Sequence, residues 1–299
     1  MNHLRHAWIA HATEDYRMAV QLAQVLKRQR LRIGIDGSAS YTGASLGLER
    51  QAAIGQSRVL ILLWSAAAYQ SRDVHVAWLA AFYTDRFIVP CMLDVTPLPA
   101  CLQTTVFLDL RHSNPSPSQR LISAVKGAPN AANPIVQVVL RPPVALTRSL
   151  EPILHMQQDI CVCWYRRDRI GMAILQQQLD SLITKNSLLS TSDPRLAPLH
   201  AYHCMHSYIL KHWEAIQDCQ PPADPLLDKA EHGFLELLAV TPSDPTIISA
   251  FGHVLLLQRD RETAAFFMRT ALAYAEQTDF TYPALQVDRV TLAKLEARS

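Results

Sequence analysis

The sequence predicts an α/β domain followed by an all-α domain. Up to about residue 127, short β-type runs alternate with helical patterns, and from about residue 148 onward only long helical patterns remain. Alternating strands and helices are typical of a parallel sheet whose strands are joined by crossover helices. The chain's 299 residues also exceed a typical single domain of about 100–200 residues, so two domains are expected.

Five strands are predicted in the α/β part. They span residues 7–11, 31–36, 58–64, 87–92 and 106–110. The third strand contains the run from Val59 to Leu63, which is continuously apolar. Such runs are expected of strands in a sheet that helices cover on both faces.

Helical spacing of apolar residues predicts the helices between these strands. The first helix follows Thr13, a candidate N-cap. Glu14 and Asp15 would then lie in its first turn, where the helix dipole favours acidic side chains. Two further helices are predicted over residues 48–56 and 71–83.

A proline-rich stretch marks the boundary between the two domains. Proline and asparagine concentrate between positions 115 and 143, interrupted by one β-type run at residues 135–140. Such a composition is typical of segments between domains. The predicted organisation is therefore an α/β domain over residues 1–127, a linker over residues 128–147 and a helical domain over residues 148–299.

The helical domain contains a weak internal repeat. At a spacing of about 34 residues, small and bulky residues recur and a proline closes the first unit. The aligned pairs are Ala230 with Ala264, Phe234 with Met268 and Leu237 with Ala271, and the proline is Pro242. Residues 225–275 thus resemble a tetratricopeptide helix pair. Its signature positions fall on Ile248, Gly252, Leu255, Ala264, Met268 and Ala271. A simple helical hairpin with small residues at its crossing explains the same pattern.

Charge and composition argue against several classes of partner. The formal net charge of +2 is too small for the basic field with which proteins gather nucleic acid or anionic membranes, so neither partner is predicted. The most apolar run, residues 59–64, is far shorter than the ~20 residues that span a bilayer. Scattered cysteines and the lack of an N-terminal apolar segment favour a cytoplasmic location, while secretion without a cleaved signal stays open.

Two local clusters in the helical domain are candidate sites. His203 and His206 share a helix face with His200 nearby, but the spacing is not that of a closed zinc site, so no metal is predicted. The basic run at residues 166–169 follows Trp164-Tyr165. This run could bind an anion or stack on a nucleic-acid base, but we favour a solvated helix face.

Several short motifs follow the predicted strands of the α/β part. Residues 7–15 contain the first strand, which ends at Ala-His-Ala, and a polar turn that reaches Asp15. Residues 31–36 are the second predicted strand, and residues 41–45 after it read Tyr-Thr-Gly-Ala-Ser. Leu-Trp-Ser then ends the third strand at Ser65, and Ser71 opens the following helix. Over about residues 6–110 these segments resemble the TIR (Toll/interleukin-1 receptor) domain family, bacterial type. The resemblance implies a flavodoxin-like five-stranded parallel sheet.

The resemblance also bears on catalysis. TIR domains that hydrolyse NAD carry a glutamate on the helix after the third strand, which stabilises the sugar cation as the glycosidic bond breaks. The family alignment places Ala77 at that position, and no glutamate occurs between Glu49 and Glu151. Asp73 is the only acidic residue on the helix. It could act as a substitute catalyst, but we favour a solvated residue at the helix start, where the helix dipole favours an acid. No catalytic residue is therefore predicted.

A protein-interaction loop, the BB loop, is implied after the second strand. Its residues here are Asp36, Gly37, Tyr41, Thr42, Gly43 and Ser45. Tyr41-Thr42 replaces the usual Arg-Pro, which puts ordinary phosphate contacts in doubt. A pocket of His11, Ala12 and Tyr41 would still suit NAD or cyclic ADP-ribose as a ligand without turnover.

Together these features predict a signalling adaptor, a pseudoenzyme that acts through protein–protein interaction. Its TIR domain would pair with other TIR domains or with a second copy of itself, and its helical domain would bind a second protein. No cofactor is predicted. The alternative is a TIR effector of bacterial defence or virulence that cleaves NAD or binds an NAD-derived nucleotide.

Overall fold

The computed structural model describes residues 5–35, 46–111, 116–128, 151–185 and 196–297. The chain divides into two units, residues 1–140 and 141–299. The first contains a parallel sheet with helices and the second is helical, which confirms the predicted fold class. The predicted linker lies outside the described residues except for Ala128, and the β-type run at residues 135–140 lies outside them entirely.

The N-terminal unit has five strands and five α-helices among its described residues. The strands are β1 Arg5–Ala10, β2 Ile33–Ile35, β3 Ser57–Trp64, β4 Phe87–Met92 and β5 Leu108–Asp109. The helices are α1 Tyr16–Arg28, α2 Leu46–Gly55, α3 Ala66–Gln70, α4 Arg72–Tyr83 and α5 Ser116–Gly127.

All five strands are parallel and follow the flavodoxin-like order β2-β1-β3-β4-β5. Ala7, Ile9 and Ile61 belong to a core that also holds buried side chains of α1 and α5. Because successive side chains of a strand point to opposite faces, Trp8 and Leu60 lie on the other face, where α2 and α4 contact the sheet. Helices therefore cover both faces, as the apolar runs predicted.

Several predicted boundaries need correction. The fifth strand was predicted over residues 106–110 but covers only Leu108–Asp109, and Val106 and Phe107 are exposed. Thr13 is not the N-cap of α1, because Thr13–Asp15 forms a separate 3-10 turn and α1 begins at Tyr16. The short helix α3 was not predicted at all.

The helical unit has eight α-helices among its described residues. They are α6 Glu151–Tyr165, α7 Arg169–Lys185, α8 Ala197–Lys211, α9 Trp213–Gln217, α10 Pro225–Val240, α11 Pro245–Leu257, α12 Arg261–Thr278 and α13 Leu285–Glu296. Helices α6 and α7 pack together, as do α8 with α10, α11 with α12, and α12 with α13. Apart from α8 and α10, which the short α9 separates, these pairs join successive helices, and such pairwise packing is typical of helical repeats.

Small residues lie at two helix crossings of this unit. A Cβ atom placed on Gly252 of α11 would lie 3.1 Å from Cγ of Met268 and 3.5 Å from the carbonyl oxygen of Ala264, both on α12. A Cβ atom on Gly233 of α10 would lie 2.9 Å from Cβ of Ala201 on α8. The small residues predicted at the first crossing therefore do lie there, while the tetratricopeptide resemblance stays a prediction.

Asp224 joins the end of α8 to the start of α10. Its carboxylate accepts hydrogen bonds from Nζ of Lys211 at 2.6 Å, Nε2 of His212 at 2.8 Å and the backbone N–H of Leu226 at 2.8 Å. The bonds from Lys211 and His212 hold the pKa of this carboxyl well below its usual range. The ionised form therefore stabilises the folded unit above the unfolded pKa of about 3.9, and this stabilisation is lost as the pH falls below that value.

We expect Asp224→Asn to lower the unfolding temperature of the helical unit by several degrees at neutral pH, because Lys211 and His212 lose their carboxylate partner. The difference from the wild type should shrink as the pH is lowered below about 4. Thermal unfolding followed by circular dichroism across pH measures both effects. Asp159→Asn removes an exposed carboxylate and serves as the control; equal sensitivity of both variants would contradict the role of Asp224.

Candidate functional site at the carboxyl edge of the sheet

The strand order predicts a ligand-binding crevice at the carboxyl edge between β1 and β3. In open parallel sheets, ligands bind outside the carboxyl ends of the strands at the point where the strand order reverses. Here β2 and β3 lie on opposite sides of β1. His11 and Ala12 follow β1 directly and Ser65 follows β3, so all three lie at this point.

Ser65 and Asp15 connect the two loops at the crevice. The Ser65 hydroxyl donates a hydrogen bond to Oδ2 of Asp15 at 2.6 Å and accepts one from the backbone N–H of Ala68 at 3.1 Å. The second bond caps the N-terminus of α3. Both side chains are therefore engaged in holding the loops after β1 and β3 together.

Asp94 plays a similar part after β4. Its carboxylate accepts hydrogen bonds from the backbone N–H groups of Ala66 at 2.7 Å and Thr96 at 2.8 Å. Burial alone would raise its pKa, but the hydrogen bonds from Thr96 and Ala66, together with the nearby Arg111, outweigh that effect and lower the pKa. Asp94 is thus an ionised residue that holds two loops in place. No local pattern in the sequence indicates this role.

Of the predicted nucleotide-binding residues, His11 and Ala12 lie at this crevice. Nδ1 of His11 lies 2.7 Å from the carbonyl oxygen of Ala12, and the His11 ring lies 5.7 Å from the ring of Tyr16. Ala12 is buried. Tyr41, the third predicted member, lies outside the described residues, as do all of the predicted BB-loop residues, 36–45.

The two candidate catalytic positions have different surroundings. Ala77 is fully buried, within a run from Val74 to Phe82 in which every residue of α4 is buried. The Asp73 side chain is 67% exposed, and its Oδ1 lies 3.1 Å from Nη1 of Arg50 on α2. Asp73 lies in the first turn of α4, beyond the N-cap Ser71. These positions are those of a packed helix residue and of a solvated acid at a helix start.

The histidines of the helical unit contact different helices. Nδ1 of His203 lies 3.4 Å from Oδ1 of Asp180 on α7, whereas Nε2 of His206 lies 3.1 Å from Sγ of Cys161 on α6. Burial lowers the pKa of His206 to about 3 and raises that of Cys161 to about 12, so both are neutral. Within the described ranges, no three His, Cys, Asp or Glu residues are grouped so that they could hold a metal ion.

Residues 8–122 match the family described as TIR domain. Together with the sheet order, this match supports a TIR domain in the N-terminal unit. Comparison with curated proteins and with solved structures gave no significant match. In the part of the chain that the structure describes, no helix is long and apolar enough to cross a membrane.

Proposed function

We propose that this chain is a signalling adaptor whose TIR domain pairs with other TIR domains or with a second copy of itself, without hydrolysing NAD. The main support is that the motif alignment with the family puts Ala77 at the position of the catalytic glutamate, and that no glutamate occurs between Glu49 and Glu151. Breaking the glycosidic bond of NAD requires a carboxylate near the developing sugar cation, which an alanine cannot supply.

The surroundings of the other carboxylates support this proposal. Asp73 extends into solvent and pairs with Arg50. Asp15 and Asp94 already accept hydrogen bonds that fix the loops at the carboxyl edge. A carboxylate engaged in this way gives up part of its stabilisation if it turns toward a substrate.

The second part of the proposal is that the helical unit binds a different protein. Stacked helix pairs present extended surfaces to partners. The close approach of α11 and α12 at Gly252 supports the proposal that these helices form such a pair. A TIR domain joined to such a surface would bring two proteins together. We place this activity in bacterial defence or virulence, in the cytoplasm or after secretion into a host.

The test has two arms on the purified full-length protein. In the first, self-association is measured by light scattering over a concentration series. Gly43→Arg should abolish pairing, because a bulky cation would disrupt the BB-loop surface. Gly127→Arg makes the same change at a position where an added Cβ meets nothing within 4 Å, and it should pair like the wild type. Unchanged pairing of Gly43→Arg would contradict the assigned surface.

In the second arm, concentrated protein is incubated with NAD and released nicotinamide is measured. We expect none above the buffer level. Turnover that Asp73→Ala abolishes and Arg50→Ala preserves would overturn the proposal, because both variants break the same ion pair but only the first removes the carboxylate. A thermal shift with NAD or cyclic ADP-ribose in the absence of product would instead identify a nucleotide-binding regulator.

A further inference from the structure

Basic residues collect at the amino edge of the sheet, opposite the crevice. In a parallel sheet the strands begin at one edge, and the helices that connect them end there. The residues that share this edge are Arg5 and Arg58 at the starts of β1 and β3, Lys27 and Arg28 at the end of α1, and Arg30 and Arg32 between α1 and β2. We call these six residues the basic edge.

Acidic residues are scarce at the same edge. The strand starts and helix ends there comprise residues 5–6, 27–32, 55–58, 84–87 and 126–128, and the only acidic residue in these ranges is Asp85. The N-terminal unit as a whole contains 13 Lys and Arg against 8 Asp and Glu. Much of the positive charge that acids do not balance in this unit therefore lies at the basic edge.

Four members of the basic edge are accessible to a partner. Lys27, Arg28, Arg30 and Arg32 are all exposed. None of the four forms an ion pair with a residue that the structure describes. An exposed cation without an acidic neighbour keeps its full charge for an incoming anion.

A closed turn after α1 fixes the position of two of these residues. Arg30 has a left-handed backbone with φ of 61° and donates its backbone N–H to the carbonyl oxygen of Lys27 at 2.9 Å. The backbone N–H of Leu31 donates to the carbonyl oxygen of Leu26 at 3.3 Å. Such bonds close the carboxyl ends of many helices. Arg30 and Arg32 therefore lie on a short, hydrogen-bonded connection.

Like charges also lie side by side on neighbouring strands at this edge. In the strand register, His6 of β1 lies between Arg32, just before β2, and Arg58 of β3. The backbone N–H of Arg32 donates to Nδ1 of His6 at 3.0 Å. Burial lowers the pKa of His6, and the charges of Arg32 and Arg58 lower it further. Neighbouring like charges oppose folding, and an acidic partner would relieve this repulsion.

Helix dipoles and local contacts account for only part of the basic edge. Lys27 and Arg28 lie in the last turn of α1, where the dipole favours cations. The two strand residues of the basic edge contact the Trp8 ring and a backbone carbonyl group, respectively. Arg30 and Arg32 lie beyond the last turn of α1, and neither explanation applies to their side chains.

We propose that the basic edge binds an acidic segment of a partner protein. Five of its six members are arginines, whose planar guanidinium groups pair with carboxylates through two parallel hydrogen bonds. This surface is additional to the BB-loop surface proposed above and does not depend on it.

Phosphate-bearing partners fit the basic edge less well. Proteins that bind single-stranded nucleic acid add exposed aromatic side chains on which bases stack, and proteins that lie on membranes add exposed apolar side chains beside the cations. None of the exposed large apolar side chains of the described chain falls within the strand starts and helix ends of this edge. A carboxylate-rich protein segment needs neither feature.

The experiment titrates the full-length protein against a fluorescein-labelled peptide of repeated Glu-Glu-Gly and follows the fluorescence anisotropy. The comparison peptide has glutamine in place of glutamate, so it keeps the length and polarity but not the charge. We expect saturable binding of the glutamate peptide at about 0.15 M salt and binding about tenfold weaker, or less, for the glutamine peptide. Binding should also weaken as salt is added, because exposed ion pairs are screened.

Variants of equal net charge then locate the binding surface. Arg30→Glu/Arg32→Glu should weaken binding of the glutamate peptide about tenfold or more. Arg17→Glu/Arg120→Glu makes the same change of charge at exposed positions in the first turn of α1 and the first half of α5, and it should bind nearly as the wild type does. Circular dichroism checks folding. If the first double variant does not fold, Arg28→Glu compared with Arg17→Glu decides.

Absence of binding by the glutamate peptide, equal binding of the glutamine peptide, or an equal loss in both double variants would each overturn the proposal. The same titrations with a DNA duplex and with vesicles that contain phosphatidylserine test phosphate-bearing partners. Tighter binding of either one, lost in Arg30→Glu/Arg32→Glu, would also overturn the proposal. None of these outcomes depends on pairing through the BB loop or on NAD, so they leave the proposed function untouched.

Discussion

Ala77→Glu should destabilise the N-terminal unit by about 3 kcal/mol or more and should release no nicotinamide from NAD. Ala77 is 0% exposed, and the residues before and after it on α4 are also buried. A glutamate there adds volume to a packed layer and places an ionisable group among apolar side chains, and both changes oppose folding. Urea unfolding measures the loss of stability.

The neutral variant Ala77→Gln separates the two effects. It adds the same volume without the charge and should cost about 1–3 kcal/mol. The extra loss in Ala77→Glu then measures the cost of the carboxyl group. If Ala77→Glu is as stable as the wild type and hydrolyses NAD, our assignment of position 77 to the buried core is wrong. That result would mean that position 77 faces the crevice and that the wild type lacks only the carboxylate.

The strands were predictable because their signal is local. The run from Val59 to Leu63 is apolar throughout, as a strand covered on both faces requires, and β4 begins and ends where predicted, at Phe87 and Met92. The short helix α3 gave no such signal, because five residues are too few for a periodic pattern. Its start depends on the cap from Ser65, which accepts a hydrogen bond from Ala68.

The candidate sites were less predictable because their members are distant in the sequence. Ser65 bonds to Asp15, which lies 50 residues earlier in the chain. Asp94, after β4, bonds to the backbone of Ala66, which follows the adjacent strand β3 and lies 28 residues earlier. The sheet order creates these contacts, and nothing in local spacing indicates them. The bond between His253 and Asp288 arises in the same way, from packing between helices that are not neighbours in the chain.

A single methyl group at Gly34 should also have a large effect. Gly34 of β2 lies opposite Trp8 of β1 in the sheet register. A Cβ atom placed on Gly34 would lie 2.5 Å from Cζ3 of Trp8, closer still to Cε3, and 3.3 Å from Cδ of Arg5. Trp8 is only 2% exposed, and the Arg5 guanidinium lies 5.1 Å from its ring centroid. The indole therefore has little room to move away.

We expect Gly34→Ala to destabilise the N-terminal unit by about 2–3 kcal/mol through overpacking. This loss should exceed the gain of about 0.5–1 kcal/mol that alanine normally brings over glycine in a strand. Gly55→Ala, at the end of α2, meets nothing within 4 Å and should be neutral or slightly stabilising. Urea unfolding of both variants provides the comparison.

A second substitution tests the cause. If the clash with the indole produces the loss, Trp8→Phe should cost less stability in the Gly34→Ala background than in the wild type, because the smaller ring vacates the space that the methyl group needs. Additive losses would show that the clash is relieved in some other way. Since residues 36–45, where we propose the BB loop, follow β2 directly in the sequence, Gly34→Ala should also weaken the proposed TIR pairing, and Trp8→Phe should restore part of it.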